Sequence, residues 1–409
     1  MPIKGIIEEQ MWQEIKNIYH LAVAVLANLV YFFPSRGMKV IAVTGTDGKT
    51  TTVNLIYHIL KSSGYKVSMV SSIGAVIDGK TYDTGFHVTT PASFSLQKFL
   101  RKARNKKSEY FVLEVTSHAI DQNRISGIPI KVGVLTNVTN EHLDYHKTYD
   151  NYLKTKLRLL KKAKICVVNS DDSSYMFLSG VKSQKAPGNW ITYGLSKSSD
   201  YSESTFDIKD NNLLGEFNKY NILASVAACK SLGIADGNIK KALKTFHMPI
   251  GRVDYVYQED FSVMIDFAHT SNASEQILKA VRPIVKGSLI HVFGSAGERD
   301  ALKRPFLGEV SSQYCDIIIL TAEDPRKENV NTIISEIEIG IKTGKCEVIR
   351  IPDRKEAIQA AIQMAKKDDL VLITGKSQEG SMNYGKGEEP WDEYKMVREA
   401  LEAREKTLV

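Results

Sequence analysis

Residues 39–60 read KVIAVTGTDGKTTTVNLIYHIL, and the rest of the chain is understood from this stretch. It opens with Val40-Ile41-Ala42-Val43, a short apolar run of the kind that forms a buried strand. It closes with Val53, Ile56, Tyr57 and Leu60 spaced to share one helical face. Between them stand Gly45, Thr46, Asp47, Gly48, Lys49, Thr50 and Thr51. Glycines let backbone N–H groups close on a phosphate, and the start of a helix adds partial positive charge. A lysine there reaches the terminal phosphates, and the hydroxyl after it can ligate Mg²⁺. The full phosphate-loop spacing would put a glycine at Val43, so the match is to the Gly-Lys-Thr core. Strand, loop chemistry and helix agree, and the reading is a nucleoside triphosphate site.

Working outward, 409 residues are enough for two or three domains with separate cores. Hydrophobic residues make up 43% and charged residues 25%, an ordinary globular balance. The net charge of +7 suits phosphorylated or carboxylate-bearing substrates but is too dispersed for a nucleic-acid partner. The basic runs at 101–107 and 161–164 read as solvated helix faces. Cys166, Cys229, Cys315 and Cys346 are far apart and form no CxxC pair, which fits a reducing, cytoplasmic setting. Residues 21–33, LAVAVLANLVYFF, are apolar but too short for a transmembrane segment, and they carry no signal-peptide flanks. They read as a buried or interfacial helix.

Along the chain, residues 1–36 form a short helical segment ending at the Pro34-Ser35-Arg36-Gly37 turn. Strands at 67–71, 110–115, 132–135 and 165–168 then alternate with helices at 94–103 and 149–160. That is a mostly parallel α/β sheet with helices on both faces. The polar stretch 196–212 is loop, followed by helices at 217–232 and 235–246. A boundary falls near Pro249-Ile250-Gly251, giving a central domain over 37–249 and a C-terminal domain over 250–409. In the latter, strands at 263–266, 289–293, 317–321, 346–351 and 370–374 alternate with helices in a second, Rossmann-like α/β pattern.

Polar clusters recur at strand ends, where open α/β sheets bind ligands. Glu114 ends the strand from 110 and can hold Mg²⁺ opposite Lys49 and Thr50. TNVTNEHLDYH, at 136–146, can ligate a metal or orient a carboxylate, or simply be loop hydrogen bonding. Lys156 on pattern alone is an ordinary helix lysine. In the C-terminal half, DFAHT, GSAGERD, EDPR and GKSQEG each end a strand, and Arg299 and Arg326 are available for bidentate carboxylate binding.

VTGTDGKTTT, HVTTP, EVTSHAIDQNR, TNVTNEHLDYH, GEFNKYN, IDFAHT, GERD with KRP, EDPR and GKSQE, in this order, resemble the Mur ligase family. The likeness is greatest to its UDP-N-acetylmuramoyl-tripeptide synthetase branch and runs from about residue 40 to 401. The resemblance implies an ATP-dependent ligase that adds an amino acid to a muramyl-peptide-like carboxylate through an acyl phosphate, in peptidoglycan precursor synthesis. It implies that 45–51 bind ATP, that Thr50 and Glu114 serve one Mg²⁺, and that His142 and Lys156 serve a second metal, with Lys156 N-carboxylated. Lys49, Glu114, His142 and Lys156 would be the catalytic set, with Asn218 and Asn221 on the adenine side. Thr89, Thr90, Thr116, Gln122 and Arg124 would hold the acceptor, and Arg299, Glu323, Asp324, Pro325, Arg326, Gly375 and Glu379 the incoming amino acid. Bringing acid, ATP and amine together from two domains would supply proximity and keep water from the acyl phosphate.

Departures from the family pattern are Asp47 for Asn, Val88 for the Asn before Thr-Thr-Pro, Thr116 for Ser and Glu141 for Asp. EDPR also stands for DNPR, and GKSQE for GKGHE. Arg326 goes with meso-diaminopimelate, whose distal carboxylate needs a cation, whereas Asp324 beside it would suit the distal amine of lysine. Only residues 1–38 precede the first strand, too few for the family's UDP-gripping front domain, which leaves the acceptor's carrier open. Two other readings are a folylpolyglutamate-synthase-like ligase and a nucleotide-binding scaffold without ligase activity.

Overall fold

The computed structural model describes residues 3–85, 88–139, 141–182, 189–209, 211, 213–342 and 344–408. The chain divides into two compact units. The first comprises Met1–Asn140, His146–Asn212 and Asn218–His247, and the second Glu141–Tyr145, Leu213–Phe217 and Met248–Val409.

The first unit begins with α1 (Ile3–Val30) and β1 (Lys39–Thr44), then α2 (Lys49–Ser62), β2 (Val67–Ser71), β3 (Gly74–Ile77) and β4 (Lys80–Tyr82). It continues through α3 (Ser93–Asn105), β5 (Tyr110–Glu114), α4 (Ser117–Asp121) and β6 (Ile130–Leu135). After the short α5 (Leu143–His146), whose first three residues group with the second unit, it continues through α6 (Tyr149–Lys162), β7 (Ala163–Asn169), α7 (Ser174–Lys182), β8 (Asn189–Tyr193), α8 (Glu216–Ser231, its first two residues grouping with the second unit) and α9 (Asp236–Lys244).

Its eight strands run in the order β4-β3-β2-β5-β1-β6-β7-β8, and all pairings are parallel except β2 with β3 and β3 with β4. The apolar runs seen in the sequence are the central strands: every residue of β2 and β5 is buried, as is all of β1 after Lys39. Such two-sided burial is what a parallel sheet with helices on both faces requires. The β3–β4 hairpin was not expected. Its Asp78-Gly79 turn has φ of 54° and 74°, the left-handed pair of a type I′ connection.

The second unit contains β9 (Asp254–Gln258), β10 (Ser262–Asp266), α10 (Ser271–Val281), β11 (Leu289–Phe293) and α11 (Arg304–Tyr314). Next come β12 (Ile317–Leu320), α12 (Val330–Glu338), β13 (Glu347–Arg350), α13 (Arg354–Met364), β14 (Leu370–Thr374), β15 (Ser381–Asn383), β16 (Glu388–Pro390) and α14 (Glu393–Leu408). The order β13-β12-β11-β14-β10-β9 is parallel apart from the edge strand β9. Two apolar clusters cover the sheet, one including Leu278, Leu307 and Ile334, the other including Ile358, Ile362 and Val397.

At the centre of this sheet His291 is buried between Ser311 Oγ and Thr374 Oγ1, each 2.9 Å from a ring nitrogen. Burial, helped by Arg354, holds its pKa down to about 3, so the ring is neutral. Among the described residues no helix is long and apolar enough to cross a membrane.

Candidate active site

The turn after β1 is built by close approach. Gly45 has φ +153°, and a Cβ there would lie 1.8 Å from Thr136 Oγ1. Gly48 caps α2 with φ +78°, and a Cβ there would lie 2.2 Å from Asn221 Oδ1. Both positions therefore admit only glycine without rearrangement. The loop after β6 holds the turn from outside. Thr136 Oγ1 donates to the Asp47 carbonyl (2.6 Å), Asp47 N–H donates to Asn137 Oδ1 (2.9 Å), and Thr46 N–H donates to the Asn137 carbonyl (2.9 Å). The Thr46 hydroxyl accepts from Thr139 N–H (3.0 Å) and meets Tyr152 OH at 3.2 Å. Thr136, Asn137 and Thr139, read from sequence as part of a metal- or carboxylate-orienting loop, are thus braces of the turn.

At the start of α2, Thr50 Oγ1 lies 3.1 Å from each carboxylate oxygen of the buried Glu114. Ser72 completes the group: its hydroxyl is 2.9 Å from Thr50 Oγ1, and its N–H donates to Glu114 Oε2 (2.9 Å). Thr51 is buried behind them. Lys49 is half-buried and folds back to donate to the Thr46 carbonyl at 2.7 Å. Asn221 Nδ2 donates to Asn218 Oδ1 (3.0 Å), and Thr52 Oγ1 is 3.4 Å from Asn221 Oδ1, so both asparagines of α8 sit against this turn and helix.

Lys156, fully buried on α6, lies over the Tyr152 ring (4.2 Å) and donates to the Gly45 carbonyl at 2.6 Å. Burial first, and the Lys49 charge second, hold its amine well below the usual lysine range, against a smaller opposing pull from Asp47.

The acceptor-side candidates hang from the same strand end. Thr90 Oγ1 donates to the Glu114 carbonyl (3.0 Å) and accepts from Thr116 N–H (3.0 Å). Arg124 donates to the Thr90 carbonyl (2.7 Å) and grips Gln122 Oε1 with Nε (2.9 Å) and Nη2 (2.6 Å). Thr116 Oγ1 caps α4 by accepting from Ala119 N–H. Thr89 is half-buried beside this cluster in the chain. Two histidines adjoin it: His146 Nε2 is 3.0 Å from Ser117 Oγ, and the His118 and His146 rings are 5.8 Å apart.

Lys49, Glu114 and Lys156 thus belong to the first unit, whereas His142, with φ +57°, lies in the 141–145 segment that groups with the second. Among the described residues no three His, Cys, Asp or Glu side chains gather as they would around a metal. The Thr50–Glu114 pair nevertheless fits Mg²⁺, a hard cation that takes one or two protein oxygens and fills the rest of its octahedron with water and phosphate.

In the second unit, Lys376 is buried between Asp324 Oδ2 (2.8 Å) and Glu379 Oε2 (2.7 Å), and Asp324 Oδ1 accepts from Asn383 N–H (2.9 Å). Both oxygens of Asp324 are therefore engaged by the protein itself. Glu323 is buried with Gly375 packed on it: a Cβ on Gly375 would lie 2.3 Å from Glu323 Oε2. Burial pushes the Glu323 carboxyl up to about 8, against the opposing pull of Lys303, Arg354 and Lys376.

Arg326 is half-buried and donates to the Gly297 carbonyl (3.2 Å); Pro325 is buried, and Arg299 is exposed. Asp324, Arg326 and Ser377 all have φ of 45–52°, unusual for residues with a Cβ and characteristic of strained functional loops. Below them, Arg354 forms a fully buried ion pair with Glu393 and donates to the carbonyls of Ala322 (3.1 Å) and Thr374 (2.8 Å), fixing the ends of the loops after β12 and β14.

Sequence reasoning missed Ser72, Tyr152, Lys376 and Arg354. Lys376 stood inside the quoted motif GKSQEG, as its one cation three residues before Glu379. The other three carry no local signal, because their roles arise from long-range contact.

Two family models match the chain: the Mur ligase middle domain over residues 43–229 and the Mur ligase, glutamate ligase domain over 251–377. The UDP-N-acetylmuramoyl-L-alanyl-D-glutamate--2,6-diaminopimelate ligase 1 of Clostridium acetobutylicum is 38% identical over 401 residues, covering 93% of this chain and 81% of that protein. A solved UDP-N-acetylmuramoyl-L-alanyl-D-glutamate--2,6-diaminopimelate ligase superposes with TM-score 0.60 at 27% identity, covering 90% of this chain and 79% of that one. A folylpolyglutamate synthase of Mycobacterium tuberculosis superposes with TM-score 0.70 at 15% identity, covering 88% and 93%, a likeness of fold alone. With both models and this degree of identity, the chain belongs to the Mur ligase family of ATP-dependent ligases.

Proposed function

We propose that this chain joins an amino group of 2,6-diaminopimelate to the terminal carboxylate of a UDP-N-acetylmuramoyl-L-alanyl-D-glutamate-like acceptor, in the cytoplasm, with ATP as the second substrate. The observation that carries the reading is the sharing of one strand end. Glu114 pairs with Thr50 at the triphosphate turn through its side chain and with Thr90 of the acceptor cluster through its carbonyl. An acceptor carboxylate held by Thr90, Thr116 and Arg124 would be positioned beside the terminal phosphate of ATP. The first unit is accordingly assigned ATP and the acceptor, and the second the amino acid.

The acceptor oxygen attacks the γ-phosphorus, the P–O bond to ADP breaks, and an acyl phosphate forms. Lys49 supplies fixed positive charge where negative charge gathers on the transferring phosphoryl group. The neutral amine of the amino acid then attacks the acyl carbon, loses a proton, and phosphate leaves. Thr50 and Glu114 would hold Mg²⁺, which screens phosphate charge. Lys156 fits N-carboxylation: burial favours its uncharged amine, the form that reacts with CO₂, and the carbamate would provide an anionic oxygen ligand for a metal.

Charge favours diaminopimelate over lysine. Asp324 already has Lys376 as its counter-ion, so it offers little to a distal ammonium, while Arg326 spends one N–H on a carbonyl and keeps others for a carboxylate. Reduced, mostly buried thiols and the lack of a described membrane-crossing helix agree with a cytoplasmic setting. The test is phosphate release from ATP and Mg²⁺ with the UDP-muramoyl dipeptide and each amino acid in turn. Release with diaminopimelate and little with lysine is expected; release with lysine alone would overturn the assignment, and no release with any amino acid would overturn the acceptor.

A further inference from the structure

From Gln13 onward, over its described side chains, helix α1 has its polarity reversed. The side it turns to the protein carries Asn17, Ala24, Ala27 and Asn28, and its anchoring is polar: Asn28 Nδ2 donates to the Ser126 carbonyl (2.9 Å), and Asn123 Nδ2 donates to the Asn17 carbonyl (3.3 Å). The outward side carries Ile15, Ile18, Ala22, Val25 and Leu29 and continues into Phe32, all exposed. Ile18 is 68% and Phe32 73% accessible. Tyr19, Leu26 and Val30, also exposed, widen the stripe. A surface helix that faced only water would show the opposite arrangement.

Three properties of the stripe identify what covers it. Its positions 15, 18, 22, 25, 29 and 32 are spaced alternately by three and four, the a/d pattern by which one helix seats knobs into another. Its apolar area is on the order of 1,000 Å², taking roughly half-exposed side chains; that exceeds the ~300–600 Å² patch of an ordinary monomer and matches the ~800 Å² per partner of a stable interface. From Ile18 to Phe32 it bears no Asp, Glu, Lys or Arg, so it can meet a copy of itself without like-charge repulsion. A bilayer is the poorer match, because membrane-surface helices oppose their apolar face with a basic one, and here the opposing face is packed and uncharged.

We propose that α1 is a dimerisation helix whose outward stripe pairs with the same stripe of a second copy about a two-fold axis. The full chain, followed by sedimentation equilibrium from about 1 to about 100 μM, the range over which an interface of this size associates, should be a dimer. The double variant Ile18→Glu/Leu29→Glu and the single variant Val25→Lys should each weaken association at least tenfold with unchanged circular dichroism, since all three side chains are solvent-exposed in one copy. A wild-type chain that stays monomeric throughout, or folded variants as dimeric as the wild type, would overturn the proposal. So would a monomer that co-sediments with vesicles of anionic phospholipid, which would assign the stripe to a bilayer.

Discussion

Replacing Glu114 by glutamine separates what this residue does for the fold from what it does for the reaction. The carboxylate is buried and makes three contacts: Thr50 Oγ1 to both oxygens at 3.1 Å, and Ser72 N–H to Oε2 at 2.9 Å. Glutamine keeps the shape. Its carbonyl oxygen can accept from Ser72 N–H, and its amide can donate to Thr50 Oγ1, whose proton can turn to Ser72 Oγ 2.9 Å away. The exchange of one hydrogen-bond pattern for another costs about 1 kcal/mol of stability, a shift of a few degrees in Tm. The loss to the reaction is larger. One unit charge acting about 4 Å away at an effective dielectric of about 20 contributes roughly 4 kcal/mol, and replacement by water recovers about half, leaving a loss of ~2 kcal/mol, or ~30-fold in kcat/KM. Phosphate release at several Mg²⁺ concentrations, beside a melting curve, measures both. A rate within threefold of wild type at limiting Mg²⁺ would refute the assignment of Glu114 to the metal, and a collapse of Tm would refute the argument that its structural role is replaceable.

Three further outcomes are expected. Lys156→Ala should lower ligation by more than ~10²-fold, and wild-type protein in carbon-13 bicarbonate should show a carbamate resonance that the variant lacks; an active variant would remove the carbamate. Arg326→Ala should raise KM for diaminopimelate at least tenfold while leaving KM for ATP within about twofold, and equal changes would unseat its role. Glu323 is protonated in the fold up to about 8 but ionises near 4.5 when unfolded, so its contribution is complete below 4.5 and is lost as pH rises toward 8. Stability should fall by up to about 1.4 kcal/mol per pH unit in that window, and Glu323→Gln should flatten the dependence in urea titrations; an unchanged slope would contradict the burial argument.

Much of the fold was legible because the signals were local. The apolar runs that became β1, β2, β5, β11 and β14 are buried on both sides, and continuous hydrophobicity is then the expected pattern. The strands overlooked lie toward the sheet edges, and several have a mixed environment. All of β9 is half-buried or exposed, and β4 is Lys-Thr-Tyr at a sheet edge. The Asp78-Gly79 turn before β4 did carry a hairpin signal that its polar flank obscured. The orientation of α1 was not readable: residues 21–33 are apolar enough for a core helix, yet the packed face uses alanine and asparagine. Periodicity reports that a helix has two faces without saying which one the protein covers.

The candidate site divides along the same line. Residue types that touch phosphate can be picked out from spacing, since glycine, lysine and threonine must occur together in one turn. What cannot be picked out is who holds them, and in this protein the holders are the chemistry's neighbours. Asp324 illustrates the difference. Beside Arg326 in sequence it reads as a second specificity charge, aimed at an amine. In the structure its partner is Lys376, 52 residues onward, which also takes Glu379. A buried lysine between two carboxylates is held by both, and removing it would leave two acids repelling each other beside Glu323, already forced toward its neutral form. The acidic positions of this loop cluster therefore act first on one another and on Lys376. On the function proposed above, Arg326 is the cation that would meet a distal carboxylate, so a substrate with one would suit the site better than one with only a distal amine.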